Sequence, residues 1–326
     1  MTAGVSIELA SPSLDPGAHA LVVTLPTFRR PGHLALTLTS LARQTIAREI
    51  AVIVMENDAD GREGVEAARP FFEAGDLSGL VVVVAERGNC SAYNAGWETA
   101  LSSFPAMQHI AVIDDDEIAT PDWAERLLET ARDLGTDIVG GPQVPVFASE
   151  RGERYRRHPV FTPPHERTGR VPILYSSGNV LISRAVLEAM PRPFLDTSFN
   201  FLGGGDSDFY ARARAAGFTF GWCAEAVVRE TTPERRTEFS WLHARALRNG
   251  AISSIIEQRQ AHGLGGRLRS LAKSGALLAA APFRSASLGI RTRSAVIGLY
   301  PLQIALGRFQ AVLGGVNEQY RRPEAN

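Results

Sequence analysis

Four short apolar runs, each followed by polar residues, constrain the fold of this chain more than any other feature. Val and Ile dominate these runs, which lie at Ala20–Leu25, Ile50–Met55, Leu80–Ala85 and His109–Ile113. Such runs lack the alternation of a half-exposed strand, and they are typical of strands that are buried on both faces. A sheet buried on both faces is usually parallel and covered by helices. The runs therefore predict an α/β protein with a parallel sheet.

Apolar residues with the spacing of a helix lie between these runs. Leu34, Leu38 and Leu41 recur four and three residues apart, and Tyr93 and Trp97 follow the same rule. This spacing places apolar side chains on one face of a helix. Alternating strands and helices predict a Rossmann-like, mostly parallel sheet flanked by helices, and ligands of such folds bind at the carboxyl ends of the strands.

Composition narrows the class of protein. The chain of 326 residues is 44% hydrophobic and 21% charged, which is typical of a globular protein. Two cysteines, Cys90 and Cys223, exclude a disulfide framework and a cysteine-rich zinc site. Residues 1–19 mix Ser, Pro and Gly, so we expect a loose lead-in there. They have neither the basic nor the apolar region of a signal peptide, so we expect a cytoplasmic protein.

The charges are distributed unevenly along the chain. From residue 259 onward there are ten Lys or Arg and only two acidic residues, although the whole chain has a net charge of −1. The apolar stretches Gly275–Phe283 and Ala295–Gly307 in this tail are shorter than the roughly 20 residues that span a bilayer. Two hypotheses follow. The tail forms helices that lie peripherally on an anionic membrane surface, or it packs on the catalytic domain or in a homodimer.

The strongest chemical signal is an acidic cluster at the end of the fourth run. Asp114, Asp115 and Asp116 follow Ile113 directly, and Glu117 comes next. Adjacent carboxylates repel one another unless a cation or hydrogen-bond donors offset their charge. Hard cations such as Mg²⁺ and Mn²⁺ take carboxylate oxygens as ligands. The cluster indicates a metal site, with a solvated turn capped by aspartates as the alternative.

A second signal is a run of three glycines before Asp206. Gly203, Gly204 and Gly205 allow the backbone to approach a ligand closely, and a helix-like stretch follows them. Asp206 at the start of that stretch is a candidate general base. The alternative is a flexible loop that ends in an N-cap aspartate.

A third signal lies after the first two runs. Short polar segments, Pro26–Arg30 and Glu56–Asp58, stand where neighbouring strands of the predicted sheet end. Side chains there can hydrogen-bond a base and a ribose, although either segment alone is also compatible with a simple turn.

Seven segments taken in order resemble one enzyme family. They are TLPTFRRP, VIVMEND, GNCSAYNAGWETAL, AVIDDDEIATPDW, SSGNVLISR, GGGDSDFYARARAAG and RETTPERRTEFSWLHARALRNG. Together they resemble family 2 glycosyltransferases of the GT-A fold, in the bacterial branch that builds exopolysaccharides and related glycans. The resemblance covers residues 20–250. It implies a GT-A domain there, a lead-in at residues 1–19 and a basic helical extension at residues 251–326.

The resemblance also implies an activity. Members of the family transfer a sugar, with inversion, from a nucleoside-diphosphate donor to a hydroxyl group, using Mn²⁺ or Mg²⁺. We therefore expect a nucleotide sugar, most often a UDP-sugar, as the donor. The expected acceptor is a glycan, a lipid-linked molecule or a small molecule, and nucleic acid is not an expected partner.

The family's site residues carry over by position. Asp206 is the expected catalytic base, although Gly205 stands where the family has a Glu. The expected metal ligands are Asp114, Asp116 and Glu230. The expected nucleotide-sugar contacts are Pro26, Thr27, Arg29, Glu56, Asn57, Asp58, Arg87, Asn94, Asp114 and Asp115. The expected contacts to the acceptor or the donor sugar are Asn179, Gly204, Gly205, Arg236 and Trp241.

Other classes of protein fit the motifs less well. A phosphatase of the haloacid dehalogenase type would use Asp114 as nucleophile and Asp116 as acid/base, but it also needs a lysine. The one lysine of the chain, Lys273, lies in the basic tail. A sugar nucleotidylyltransferase needs a lysine near its N-terminus, and there is none. A catalytically inactive sugar-nucleotide-binding module is the remaining alternative.

Overall fold

The computed structural model describes residues 4–12, 14–47, 50–261 and 263–312. Its strands are β1 Val5–Ala10, β2 Leu21–Thr27, β3 Ile50–Glu56, β4 Ser78–Val84, β5 His109–Ile113, β6 Glu117–Ala119, β7 Ile138–Gly140, β8 Gln143–Phe147, β9 Gly169–Val171, β10 Asn179–Ser183, β11 Phe220–Trp222 and β12 Val228–Thr232. Its helices are α1 Pro31–Ala42, α2 Glu63–Glu73, α3 Asn89–Ser103, α4 Trp123–Leu134, α5 Glu150–Glu153, α6 Arg184–Ala189, α7 Gly205–Ala215, α8 Phe239–Gln260, α9 Gly263–Thr292, α10 Ala295–Gly298 and α11 Tyr300–Val312.

Among the described residues, nine strands form one large sheet in the order β1-β4-β3-β2-β5-β10-β7-β11-β9. Strands β4, β3, β2 and β5 are parallel neighbours. Strand β10 runs against β5 and β7, and β11 is again parallel to β7. Most strands therefore share one direction, which confirms the predicted α/β fold with a mostly parallel sheet. A second, three-stranded sheet has the order β6-β12-β8.

The centre of the large sheet is buried on both faces, as the apolar runs predicted. Every residue of β3 is buried, and so are Leu21–Leu25 of β2. The helical faces are confirmed as well, since Leu34, Leu38 and Leu41 of α1 are fully buried. Pro31 begins α1, a position where its missing N–H costs nothing.

The expectation of a loose lead-in at residues 1–19 is wrong for Val5–Ala10. These residues form β1, which pairs antiparallel with β4 at the edge of the sheet. Val5, Ile7 and Leu9 alternate with polar residues, which is the period of a half-exposed strand. The Ser, Pro and Gly content of residues 1–19 outweighed this short alternating pattern in the sequence analysis. Hydrogen bonds to the free edge of β4 hold Val5–Ala10 in the sheet.

The chain divides into two compact units. The first comprises Met1–Val144, Pro164–Asn200 and Gly205–Glu230, and it contains the large sheet. The second comprises Pro145–Pro163, Phe201–Gly204 and Thr231–Asn326, and most of its described residues are helical.

Helices α8 and α11 of the second unit pack backbone against backbone. A Cβ atom built on Gly307 would lie 1.9 Å from the carbonyl oxygen of Leu247, and one on Gly250 would lie 2.1 Å from that of Ile304. Next to this crossing, the buried Arg308 donates a 2.5 Å hydrogen bond to Glu257, which also pairs with Lys273. The apolar run Ala295–Gly307 of the predicted tail thus packs in part within this unit, with Ile297, Ala305 and Gly307 buried. By length and composition, residues Ala295–Val312 also qualify as a membrane-spanning segment in the described chain, which is weak evidence for one.

Candidate active site

The ends of β2, β3 and β5 lie side by side and carry the polar residues that the sequence placed there. Thr27 pairs with Glu56 in the parallel register of β2 and β3, and Pro26 pairs with Met55. The Thr27 hydroxyl donates a 2.8 Å hydrogen bond to Oδ2 of Asp115, in the turn after β5. The first and fourth apolar runs thus meet at one edge of the sheet.

Two groups near the start of α1 hold the acidic turn in place. Arg30 Nη1 lies 3.2 Å from Oδ1 of Asp115 and 2.9 Å from Oδ2 of Asp116. The Thr37 hydroxyl lies 2.9 Å and 2.7 Å from the carbonyl oxygens of Asp115 and Glu117. Sequence reasoning selected Arg29 and missed Arg30, although both stand in the same short motif.

Asp114 is enclosed by polar groups from three elements. The Tyr93 hydroxyl of α3 donates to its Oδ1. Its backbone N–H donates to Oε2 of Glu117 at 2.9 Å, and Gln143 donates to Oε1 of the same glutamate at 2.5 Å. A Cβ on Gly178 would lie 2.9 Å from Oδ2 of Asp114, so only a glycine allows this approach. Tyr93, Glu117, Gln143 and Gly178 are members of the site that sequence reasoning did not select.

Burial and mutual repulsion raise the pKa of several of these carboxyl groups. Burial and the charge of Asp116 raise the pKa of Asp114 to about 7. Burial raises the pKa of Asp115 to about 6, although Arg30 opposes this. The pKa of Glu117 lies well above its ordinary value because the group is buried beside Asp114 and Glu230. At neutral pH, bound protons or a nearby cation stabilise such a cluster.

Glu230 of β12 stands directly across from Glu117 of β6. Like charges opposite one another destabilise an antiparallel pair unless a cation or a proton intervenes. The structure thereby brings Glu230 to the acidic turn, as the sequence predicted. Within the described residues, no group of three or more His, Cys, Asp or Glu side chains is arranged to hold a metal ion.

The polar residues after β3 make most of their contacts with the backbone around them. Glu56 accepts from the N–H groups of Asp58 at 2.7 Å and Gly64 at 2.6 Å. Asn57 donates to the carbonyl of Glu86 at 2.9 Å and accepts from Gly88 N–H at 2.7 Å. These contacts fix the backbone after β3 and at residues 86–88, and the nucleotide contact that the sequence predicts for both residues stays a prediction.

Two exposed arginines lie against Phe28. The Arg87 guanidinium is 4.8 Å from the centroid of the Phe28 ring, and that of Arg29 is 5.1 Å from it. Arg29 also pairs with Asp58 at 2.5 Å, and this hydrogen bond lowers the pKa of the Asp58 carboxyl. Arg29 and Arg87 thus lie against an aromatic ring that sequence reasoning had not selected, and Asp58 pairs with Arg29.

Asn94 and Asn179 are tied into the scaffold. Asn94 exchanges two 2.8 Å hydrogen bonds with the backbone of Leu195. Asn179 is buried, accepts from the Trp123 indole at 2.8 Å, and donates to the carbonyls of Pro142 and Ala226. Both side-chain amides thus bond within the protein, and the predicted contacts of Asn94 with the nucleotide sugar and of Asn179 with the acceptor or donor sugar stay predictions.

Asp206 lies in the first turn of α7, after two glycines whose backbones have positive φ, 78° at Gly203 and 93° at Gly204. Negative charge is stabilised at the start of a helix. Both Asp206 and Asp114 raise the pKa of the buried Tyr210, in addition to the larger effect of burial. Gly205 is buried against Cys90, so the family's glutamate would have no room there.

Three predicted site residues belong to the second unit. A Cβ on Gly204 would lie 2.5 Å from Cγ2 of Ile252. The Arg236 guanidinium lies 6.0 Å from the Trp241 ring centroid, and the Phe161 ring is stacked on Trp241 with centroids 6.3 Å apart. The late Arg and Trp are thus neighbours of each other.

A parallel sheet that ends in an acidic turn, with an aspartate at the glycine-rich start of a helix, defines a glycosyltransferase of the GT-A class. The model of the family described as "Glycosyltransferase like family 2" matches residues 16–249. The chain is 34% identical over 245 residues to the succinoglycan biosynthesis protein ExoM of Rhizobium meliloti (strain 1021), covering 73% of this chain and 75% of ExoM. The chain belongs to glycosyltransferase family 2.

Solved structures confirm the fold. The mannosyltransferase PcManGT from Pyrobaculum calidifontis, in complex with GDP-Man and Mn²⁺, superposes with a TM-score of 0.60 at 17% identity, covering 95% of this chain and 91% of that one. Residues 1–349 of TarS from S. aureus, in complex with UDP, superpose with a TM-score of 0.51 at 11% identity, covering 94% and 98%. At these identities the likeness concerns the fold alone.

Proposed function

We propose that this protein transfers a sugar, with inversion, from a nucleoside-diphosphate donor to a hydroxyl group of a glycan, lipid-linked or small-molecule acceptor in polysaccharide assembly. The observation that carries the proposal is the acidic turn at the end of β5, where Tyr93 bonds to Asp114 and Arg30 bonds to Asp115 and Asp116. The role of ExoM in succinoglycan biosynthesis supports a glycan product. The nucleotide ligands of the structural neighbours, GDP-Man, UDP and UDP-GlcNAc, support a nucleotide-sugar donor, and UDP is our first candidate.

We propose that the acidic turn takes a divalent cation, Mn²⁺ or Mg²⁺, although its carboxylates are not arranged as a complete ligand set in the described residues. Asp114, Asp116 and Glu230 present carboxylate oxygens, and hard cations prefer these ligands. Burial and the charge of Asp116 raise the pKa of Asp114 to about 7, and this supports a cation as the partner of the turn. Mn²⁺ in the PcManGT complex supports the same choice. When bound, the ion would act as a Lewis acid that stabilises charge on the departing diphosphate.

Side chains of the protein itself carry out the proton transfer and position the donor. Asp206 takes the proton of the acceptor hydroxyl as its oxygen forms a bond to the anomeric carbon. The bond from that carbon to the nucleoside diphosphate breaks on the opposite face, and its electron pair leaves with the diphosphate. One displacement inverts the anomeric centre, so an α-linked donor gives a β-linked product. The Phe28, Arg29 and Arg87 group would provide an aromatic and cationic surface for the nucleotide.

An assay of product release tests this function. The purified protein is incubated with UDP-, GDP- and dTDP-sugars and Mn²⁺, and nucleoside diphosphate and inorganic phosphate are measured in parallel. We expect nucleoside diphosphate without phosphate, whereas release of phosphate alone would indicate a phosphatase. Thermal unfolding is measured with each nucleotide, because a ligand at 100 times its Kd adds about 2.7 kcal/mol. Stabilisation without turnover of any donor, even with glycan acceptors present, would indicate an inactive binding module.

A further inference from the structure

Helix α9 exposes five of its eight large apolar side chains to solvent, and the other three, Leu277, Leu278 and Leu288, are half-buried. Leu264, Leu268, Leu271, Phe283 and Ile290 are between 49% and 80% exposed in the described chain. The residues of α9 that are buried are small, namely Ser270, Ser274 and Ala281. An ordinary surface helix has the opposite arrangement, with its large apolar residues against the core.

These side chains lie on one side of the helix, which we call the outer face of α9. Leu264, Leu268 and Leu271 are spaced four and three apart, so they share one side of the helix. At about 100° per residue, Phe283 and Ile290 fall on the same half of the helix as these leucines. With a rise of about 1.5 Å per residue, the outer face from Leu264 to Ile290 is about 39 Å long. Its length suits contact with an extended surface.

The charges carried by α9 itself have a single sign, although Lys273 pairs with Glu257 of α8. Helix α9 contains no Asp or Glu, and its five charged residues are all basic. They are exposed and are distributed along the length of the helix: Arg267, Arg269, Lys273, Arg284 and Arg291. Arginine and lysine can extend their charged ends toward phosphates while their stems cover apolar surface.

We propose that the outer face of α9 binds the surface of an anionic lipid bilayer. The five apolar side chains enter the region between headgroups and acyl chains, and the basic residues beside them bind lipid phosphates. Charge favours this occupant over a second copy of the chain, because two outer faces would bring basic residues against basic residues. The proposal concerns α9 alone and does not depend on the identity of the donor or the acceptor.

Vesicle flotation tests the proposal with the full chain. Phosphatidylcholine vesicles containing 0, 10 or 30% phosphatidylglycerol are floated with the protein at 50 to 500 mM NaCl. We expect co-flotation that rises with phosphatidylglycerol and falls with salt. Leu268→Asp combined with Phe283→Asp should reduce binding at least tenfold. Arg269→Gln, Arg284→Gln and Arg291→Gln together should also reduce it at least tenfold, since each basic residue at an anionic surface contributes about fivefold.

A control variant introduces the same Leu→Asp change at an exposed position outside α9. Leu36 is 53% exposed on α1, and Leu36→Asp should float like the unchanged protein. Equal flotation of the unchanged chain and the Leu268→Asp/Phe283→Asp variant would overturn the proposal. So would binding that is independent of phosphatidylglycerol, or a dimer in lipid-free solution that the Leu268→Asp/Phe283→Asp variant abolishes.

Fluorescence gives a second reading that does not depend on loss of binding. The four tryptophans of the chain all lie outside α9, so Phe283→Trp adds a probe to the outer face. Its added emission should shift to the blue with anionic vesicles, and brominated lipid should quench it. Unchanged emission at saturating vesicle concentration would contradict insertion of the outer face.

Discussion

Gly205 and Cys90 lie so close that a methyl group on the glycine would stand 2.5 Å from the cysteine Sγ. The next nearest atoms, Leu195 Cδ2 and Phe199 Cβ, would be at 3.5 and 3.6 Å, which is ordinary contact. Cys90 alone therefore excludes a side chain at the residue before the candidate base. Burial raises the pKa of the Cys90 thiol to about 12, so the thiol stays protonated at neutral pH and acts here through its volume.

We predict that Gly205→Ala lowers the free energy of unfolding by about 1–3 kcal/mol, the usual result of adding a methyl group to a packed interior. Combining it with Cys90→Ala should cost less than the sum of the two single changes, because the Sγ atom that obstructs the methyl group is gone. Urea unfolding of both single variants and the double variant measures this coupling. Simple additivity would show that the two residues do not obstruct each other.

Asp206→Asn should lower turnover by about 10²–10⁴ while nucleotide-sugar binding persists, because the amide keeps the shape but cannot accept the acceptor's proton. Asp208→Asn is the matched control, since Asp208 lies two residues away and pairs with Arg212 at 2.8 Å. That variant should retain most of its turnover. Steady-state kinetics and nucleotide titrations compare the two. Near-normal turnover of Asp206→Asn would shift the role of base to Asp208 or Glu230.

Removal of divalent metal should abolish turnover, and Mn²⁺ or Mg²⁺ should restore it, because the carboxyl groups of the acidic turn repel one another without a cation. Free Mn²⁺ measured by electron paramagnetic resonance reports binding independently of activity. Asp114→Asn combined with Asp116→Asn should weaken Mn²⁺ binding at least tenfold. Asp133→Asn, an exposed position on α4, serves as the control. Full turnover after exhaustive chelation would exclude the proposed metal role.

Asn179→Asp should destabilise the protein by about 2 kcal/mol or more, because its new oxygen would face the carbonyls of Pro142 and Ala226 without a donor. Asn89→Asp, an exposed change at the start of α3, should have little effect. Thermal unfolding and nucleotide titration are measured for both. If Asn179→Asp leaves stability unchanged but weakens donor binding, direct contact with the donor would be supported instead.

The pH dependence of stability should include a contribution from His158. Burial lowers the pKa of this imidazole from 6.5 to about 4, and its ring edge packs on Tyr300 of α11 at 5.2 Å between centroids. The unfolded chain then binds more protons than the folded one between pH 6.5 and 4. The stability that depends on a neutral His158 is fully present above pH 6.5 and is lost as the pH falls from 6.5 to 4. This loss in the free energy of unfolding is at most about 3 kcal/mol.

His158→Asn removes the titrating group and keeps an acceptor for the Val160 N–H, which donates to Nδ1 of His158 at 3.2 Å. Urea unfolding from pH 7 to 4 should show a smaller loss of stability for this variant than for the unchanged protein. Parallel curves for the two proteins would show that His158 does not titrate on unfolding in this range.

The sequence by itself determined the parallel sheet and the position of the acidic turn. Unbroken runs of Val and Ile are stable in strands that are buried on both faces. Polar residues that follow such runs lie at the carboxyl ends of those strands. The sequence also identified the family, because the family's motifs occur in order over residues 20–250 and can be read without the structure. Asp206 could be selected as a candidate for the same reason.

Only the tertiary structure decided what each polar side chain does. Asn179 matches a family position, but its partners, Trp123 and the carbonyls of Pro142 and Ala226, come from distant parts of the chain. Arg30 and Arg29 are indistinguishable in sequence, yet only Arg30 bonds to Asp115 and Asp116 among the contacts of the described residues. The outer face of α9 could not be predicted from the sequence either, because apolar spacing does not show which side of a helix packs against the rest of the protein. Hydrogen bonds and burial depend on residues far apart in the chain, so local patterns locate a site but do not assign its contacts.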